Sequence, residues 1–184
     1  ISVASIGTLG IKLKKKTVKS DLTSPDIITL HKSLHNLKKK KVDNVIIEAS
    51  SHGLDQSRLE GFKFNGGIFT NFSHDHLDYH KNKKNYFKSK MLLFKKLIKK
   101  NGFAILNTDI NEYSEIEKII SVKKIKKLSF GFNGNTLKII SLKKKNNKNI
   151  LKINFLNKIY SLKINILGNF QINNFVSSMI CCYM

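Results

Sequence analysis

Arginine is almost missing from this chain. Arg58 is the only one, although lysine and arginine together number 34 against 12 acidic residues. The formal net charge of +22 invites a nucleic-acid role. The want of arginine argues against it, because phosphate and base readers lean on the planar guanidinium fork. The lysines travel instead with asparagine and isoleucine along the whole chain, as solvent-facing residues do under a broad compositional bias. By the same reasoning, the lone arginine marks a place where lysine would not serve. Cysteine is scarce as well: Cys181 and Cys182 are neighbours that cannot readily bridge each other. They read as small core residues in a reducing cytoplasm, and a disulfide framework is excluded. No apolar run approaches the roughly 20 residues of a membrane span. The segment Ile1 to Gly10 lacks a basic leader and a cleavage site, so no signal peptide is expected. The chain lacks an initial Met and stops inside an apparent helix, Phe175 to Met184, so both ends are expected to be cuts.

What is present suffices for one packed domain over residues 1–184, with 41% hydrophobic residues. Ser2 to Ile6, Val45 to Ala49, Gly67 to Thr70 and Phe103 to Leu106 read as short strands. Ser24-Pro25-Asp26 reads as a helix start with Ser24 as the N-cap. Ile27, Leu30, Leu34 and Leu37 then predict a helix to about Lys39. A second helix is predicted over Asn82 to Lys100. After Phe130 the pattern turns to β segments, Leu137 to Leu142, Ile150 to Phe155 and Ile159 to Ile166, with Lys143 to Lys148 as a solvated turn. The expected fold is therefore α/β: a mostly parallel sheet flanked by helices, with a small antiparallel meander.

Three stretches stand out from the Lys-Asn-Ile background. Glu48 to Arg58 (Glu-Ala-Ser-Ser-His-Gly-Leu-Asp-Gln-Ser-Arg) follows a predicted strand, where α/β proteins place ligand loops. A plain polar loop with a Gly turn is the competing reading. Thr70 to His80 (Thr-Asn-Phe-Ser-His-Asp-His-Leu-Asp-Tyr-His) concentrates His74, His76 and His80 with Asp75 and Asp78. That density suits a divalent cation; a helix cap supplied by Ser73 or Asp75 is the alternative. Lys90, in Phe87-Lys88-Ser89-Lys90-Met91, has nothing intrinsic to separate it from its neighbours.

Taken together, these segments resemble the Mur ligases, most of all the MurE type. The resemblance extends to Ser5 to Gly10, Leu22 to Asp26, Leu106 to Asp109 and Gly168 to Asn174, so it runs in order along essentially the whole chain. It implies the family's P-loop-type central domain and an ATP-dependent ligase of peptidoglycan synthesis, acting through an acyl phosphate with Mg²⁺. The implied partners are a UDP-muramoyl dipeptide and an amino acid, diaminopimelate or lysine. A cytoplasmic monomer binding neither nucleic acid nor membrane is expected. By position, the resemblance assigns Thr23, Ser24, Ser50, Gln56 and Arg58 to the muramoyl substrate. It assigns Glu48, His76 and Lys90 to Mg²⁺, with Lys90 carried as a carbamate and His76 and Lys90 catalytic. Asn174 and Asp109 fall to the nucleotide.

This chain departs from the family pattern at Ser24 (for Thr), at Gln171 (for Asn), and at Thr108-Asp109-Ile110, which lacks a second Asp. No Gly-x-x-x-x-Gly-Lys-[Ser/Thr] phosphate loop occurs. The resemblance places that loop, a UDP-binding domain and a C-terminal domain outside residues 1–184, so ligation by this chain alone is not expected. Two rivals stand beside this reading. One is a folylpolyglutamate-synthase-like ligase. The other is a metal-dependent hydrolase built on His74 to His80, which would lack ligands downstream of His80.

Overall fold

The computed structural model describes residues 1–184 apart from His74, Asn146, Asn147 and Leu167, and apart from the side chains of Lys145 and Lys148. The chain forms two compact units. The first comprises Ile1–Phe62 and Asp75–Leu97; the second comprises Lys63–His74 and Ile98–Met184.

In the first unit, strand β1 (Val3–Gly7) pairs in parallel with β4 (Asn44–Ile47). Parallel neighbours need a crossover, and helix α1 (Ile27–Lys39) supplies it. β1 alternates as its sequence dictates: Ala4 and Ile6 are buried, Val3 and Ser5 are not. Two short strands, β2 (Gly10–Leu13) and β3 (Lys16–Val18), extend the sheet antiparallel from β1. Because β1 and β4 run in the same direction, Thr8 and Glu48 emerge together at their carboxyl ends, the side from which α/β sheets present their loops. Three helices complete the unit: α2 (Ser51–Asp55), α3 (Leu77–His80) and α4 (Lys83–Leu92). α4 buries Tyr86, Phe87 and Met91, and a π turn over Leu93–Leu97 buries Phe94 and Leu97.

Three readings of the sequence are corrected by the structure. The N-cap of α1 is Asp26, not Ser24: the Asp26 carboxylate accepts from the Ile28 and Thr29 N–H groups at 3.0 Å. Ser24 is drawn away because its hydroxyl donates 2.8 Å to the Glu48 carbonyl and meets the Ser50 hydroxyl at 3.0 Å. The helix expected over Asn82 to Lys100 starts at its Asn82 cap but ends at Leu92, with the π turn following. From Ile98 the backbone joins a sheet, because Ile98 pairs with Phe64. Neither Ser73 nor Asp75 caps α3. Its N-cap is His76, in the left-handed conformation at φ 54°, with no side-chain cap bond.

The second unit holds a sheet in the order β10-β9-β8-β7-β6-β5. Strands β5 (Phe64–Phe69), β6 (Ile98–Asn107), β7 (Lys126–Gly131) and β8 (Leu137–Lys145) are parallel neighbours. β8, β9 (Lys148–Phe155) and β10 (Lys158–Ile164) form the expected antiparallel meander. β8 and β9 extend through much of the lysine run read as a turn; its Asn146 and Asn147 lie outside the described residues. Helix α5 (Tyr113–Val122) connects β6 to β7, burying Ile116 and Ile120. Helix α6 (Asn169–Tyr183) turns Ile172, Val176 and Ile180 onto Ile105, Phe130, Leu137, Leu151 and Ile153, all nearly or fully inaccessible. Each such side chain contributes about 1.5–3 kcal/mol by leaving water. The α/β expectation, parallel strands with helices and an edge meander, is borne out.

Candidate functional site

The first unit gathers most of the chemistry-bearing residues around the carboxyl ends of β1 and β4. Thr8 follows β1, and Glu48 follows β4. Thr8 donates to Glu48 Oε2 twice, from its N–H at 2.8 Å and its hydroxyl at 3.0 Å. The carboxylate is thereby fixed through one oxygen. Gly7 permits this approach: a Cβ there would lie 2.5 Å from Glu48 Oε2. The Thr8 hydroxyl also sits 3.1 Å from that of Thr23.

Ser50 caps α2, accepting from the Gly53 N–H at 3.0 Å. Ser24 is fully buried and bonded to Ser50 through both the Ser50 N–H and hydroxyl, at 3.0 Å each. Its carbonyl accepts 2.9 Å from Arg58 Nη1, while Arg58 Nη2 donates to Gln56 Oε1. The sequence-derived substrate residues Ser24, Ser50, Gln56 and Arg58 therefore form one bonded group. Within it, the Ser24 side chain frames the others instead of facing solvent. Gly53 is required at its position, since a Cβ would lie 2.6 Å from Ser24 Cβ and 2.7 Å from its hydroxyl. Gly53→Ala is expected to destabilise the chain by about 1–3 kcal/mol, the usual cost of overpacking a tight contact. Urea denaturation measures it, and an unchanged midpoint would contradict this packing.

α3 and α4 bring in the rings. His52 lies 4.8 Å from His76, 4.2 Å from Tyr79 and 5.5 Å from His80, centroid to centroid. His80 is buried, and among the described residues its Nε2 has no hydrogen-bond partner. Burial holds its pKa below the ordinary value, aided by the positive charges of His52, His76 and Lys90 and opposed by Asp55. The unfolded chain, free of this burial, takes up the proton first. Stability is therefore expected to fall as pH drops through about 6.5, the ordinary histidine value, with a smaller fall in His80→Gln. Equal slopes in the two chains would rule His80 out as the source.

Lys90, on the last turn of α4, is partly buried, with Nζ 5.2 Å from the Tyr86 ring centre. Burial pushes its pKa down, against the pull of Asp75 and Glu48. Asp75 was read in the sequence only as part of the cation-suited cluster or as a helix cap, and not as a neighbour of Lys90. It also helps burial raise the Tyr86 phenol, and it lies 3.5 Å from His76 Nε2 through its carboxylate. Its only advance signal was its place in the histidine-rich segment.

Among the described residues, no three His, Cys, Asp or Glu side chains are arranged to enclose a metal. A metallohydrolase needs such a preformed cage. Of its proposed ligands, His74 lies outside the described residues and His80 is buried. Mg²⁺ asks for less: one or two protein carboxylates, water and substrate phosphates. Glu48 offers one such carboxylate; His76 and an anionic group on Lys90 would add to it. As an ammonium cation, Lys90 would repel the ion.

The nucleotide candidates lie in the second unit. Asp109 accepts from the Phe132 N–H through both carboxylate oxygens, at 2.9 and 3.0 Å, bracing the turn after β7. Gly131 there has φ 132°, and a Cβ would lie 2.7 Å from Asp109 Oδ1. Asn107 is buried, donating 2.7 Å to the Thr70 carbonyl and accepting 2.9 Å from the Asp109 N–H. Asn174 is exposed on α6, its carbonyl accepting from the hydroxyls of Ser177 and Ser178 at 3.0 and 2.7 Å.

Residues 2–182 match the model of the Mur ligase middle domain. A UDP-N-acetylmuramoyl-L-alanyl-D-glutamate–2,6-diaminopimelate ligase of Rickettsia bellii is 43% identical over 180 residues, covering 93% of this chain and 37% of that protein. A solved structure of a ligase of the same name superposes with TM-score 0.85 at 25% identity, covering 98% of this chain and 37% of the other. The apo form of L. casei FPGS superposes with TM-score 0.71 at 10% identity, covering 97% of this chain and 50% of that one, a likeness of fold alone. The chain thus spans little more than a third of the length of the named ligases it matches.

Proposed function

This chain belongs to the Mur ligase family, and from that membership we propose that it is the middle part of a longer ATP-dependent ligase. The ligase joins diaminopimelate to UDP-N-acetylmuramoyl-L-alanyl-D-glutamate, the activity its relatives' names carry. Lysine, the other amino acid considered, has no support among those names. The 43% identity to a diaminopimelate ligase also favours this reading over a folylpolyglutamate ligase.

The observation that carries the chemistry is Lys90: a partly buried lysine whose amine is pushed toward neutrality beside Glu48 and Asp75. A neutral amine adds to CO2; the N–C bond forms, the nitrogen loses a proton, and a cation becomes a carbamate anion. With Glu48 Oε1 and His76, that anion completes a place for Mg²⁺. When bound, Mg²⁺ neutralises the phosphate charge that would repel an attacking carboxylate. Thr8 keeps Glu48 in position for this.

Arg58 and Gln56 hold an anionic group of the muramoyl dipeptide, with Ser24 and Ser50 as their frame and Thr23 as a further contact. The dipeptide carboxylate attacks the γ-phosphate of ATP, giving an acyl phosphate and ADP. The amine of the amino acid attacks the acyl carbon, and the tetrahedral intermediate expels phosphate to leave the amide. Asn174 faces the adenine and Asp109 braces the turn beside the ribose. The complete enzyme is expected to consume ATP only when the dipeptide is supplied, and to incorporate diaminopimelate in preference to lysine. Equal use of lysine, or turnover without dipeptide, would overturn the assignment.

A further inference from the structure

A polarised chain of hydrogen bonds crosses α2, α3 and α4, and two of its members have no assigned role. Asp55 accepts from the Tyr79 hydroxyl at 3.0 Å and from the Ser89 hydroxyl at 2.9 Å. Tyr79 in turn receives Gln56 Nε2 at 3.1 Å, and Gln56 Oε1 receives Arg58 Nη2. One end of this chain can only accept, because Asp55 is a carboxylate. The other can only donate, because Arg58 is a guanidinium. Every link between them then has one allowed direction. Tyr79 gives its single proton to Asp55, so its oxygen must accept. Gln56 must turn its NH2 toward Tyr79 and its carbonyl toward Arg58. An amide whose two ends are ordinarily interchangeable is thereby oriented by its neighbours.

We infer that Asp55 and Tyr79 are positioning residues that orient the Gln56 amide, so that its NH2 is held on the Tyr79 side and its carbonyl on the Arg58 side, leaving one Nε2 proton for the substrate beside the Arg58 fork. This rests on the assignment of Gln56 and Arg58 to the muramoyl substrate. Gln56 has one Nε2 proton left after Tyr79, and Arg58 keeps the N–H groups not spent on Ser24 and Gln56. These unspent donors suit an acceptor oxygen of the substrate, a carboxylate or phosphate. Tyr79 is itself fixed by its ring, 4.2 Å from His52 and 4.7 Å from His80. Removing only its hydroxyl leaves that stacking in place.

The test has two arms. In the 184-residue chain, proton NMR of the Gln56 side-chain amide is expected to show one shifted, protected proton, lost in Tyr79→Phe. An amide indifferent to Tyr79→Phe would overturn the inference whatever the enzyme does. In the complete ligase, Tyr79→Phe is expected to raise KM for the UDP-muramoyl dipeptide about tenfold, the usual loss for one charge-coupled hydrogen bond, leaving kcat and KM for ATP unchanged. In a Gln56→Ala background, Tyr79→Phe is expected to add nothing, because Tyr79 acts through Gln56. Additive losses, or a fall in kcat instead of a rise in KM, would overturn the positioning role while leaving the functional assignment intact. A wild-type enzyme that does not use the dipeptide would overturn both.

Discussion

Lys90→Arg in the complete ligase is expected to lower kcat by about 100- to 1,000-fold, the usual cost of losing one preorganised group of an electrostatic site, here the carbamate that would help hold Mg²⁺. Arginine keeps the positive charge and much of the length, so a merely cationic role would survive the change. What it cannot do is lose a proton and add CO2. The environment of Lys90 favours that reaction: burial drives its amine toward neutrality, and Glu48 and Asp75 only partly restore the charge. Two readouts separate the carbamate from other roles. Labelled bicarbonate is expected to give a carbamate signal in wild type that Lys90→Arg lacks. Short carboxylic acids are expected to restore part of the activity of Lys90→Ala, by supplying the missing anion. An arginine variant within tenfold of wild type would remove Lys90 from the chemistry.

Arg58→Lys is expected to reduce kcat/KM for the muramoyl dipeptide by about 10- to 150-fold, corresponding to roughly 1.4–3 kcal/mol for a charge-assisted pair. The reason lies in the fork. Arg58 uses Nη1 on the Ser24 carbonyl and Nη2 on Gln56. An ammonium is a point charge and cannot hold both while meeting a third oxygen. This is also why arginine survives here in a chain that otherwise uses lysine. Unchanged kcat/KM in Arg58→Lys would mean that the charge alone matters.

Both candidate ligand loops were legible in the sequence because their residues differ so sharply from the Lys-Asn-Ile background. The strands before them were legible from short apolar runs. The helix cap was not. Ser24 and Asp26 are both good capping residues, and the choice is made by Glu48 and Ser50, which lie 24 and 26 positions away from Ser24. The end of α4 was hidden for a similar reason: lysine-rich sequence continues helically until strand pairing claims Ile98. β3 was missed because Lys16, Thr17 and Val18 are all exposed and leave no alternation to read. Lys90 could be singled out only by resemblance, since its neighbours Lys88 and Lys95 look the same in sequence. Its partial burial and the nearby Asp75 and Glu48 are what distinguish it in the fold. Asp55 and Tyr79 lie inside the two loops, but their link joins residues 24 positions apart, which no local pattern announces.

Activation of the dipeptide carboxylate by phosphorylation can be followed with heavy oxygen, carried from that carboxylate during ligation by the complete enzyme. One labelled oxygen is expected in the inorganic phosphate, with ADP as the nucleotide product, because the carboxylate oxygen that attacks the γ-phosphate leaves with it. Label in AMP, or amide formation with no label transferred to phosphate, would contradict it.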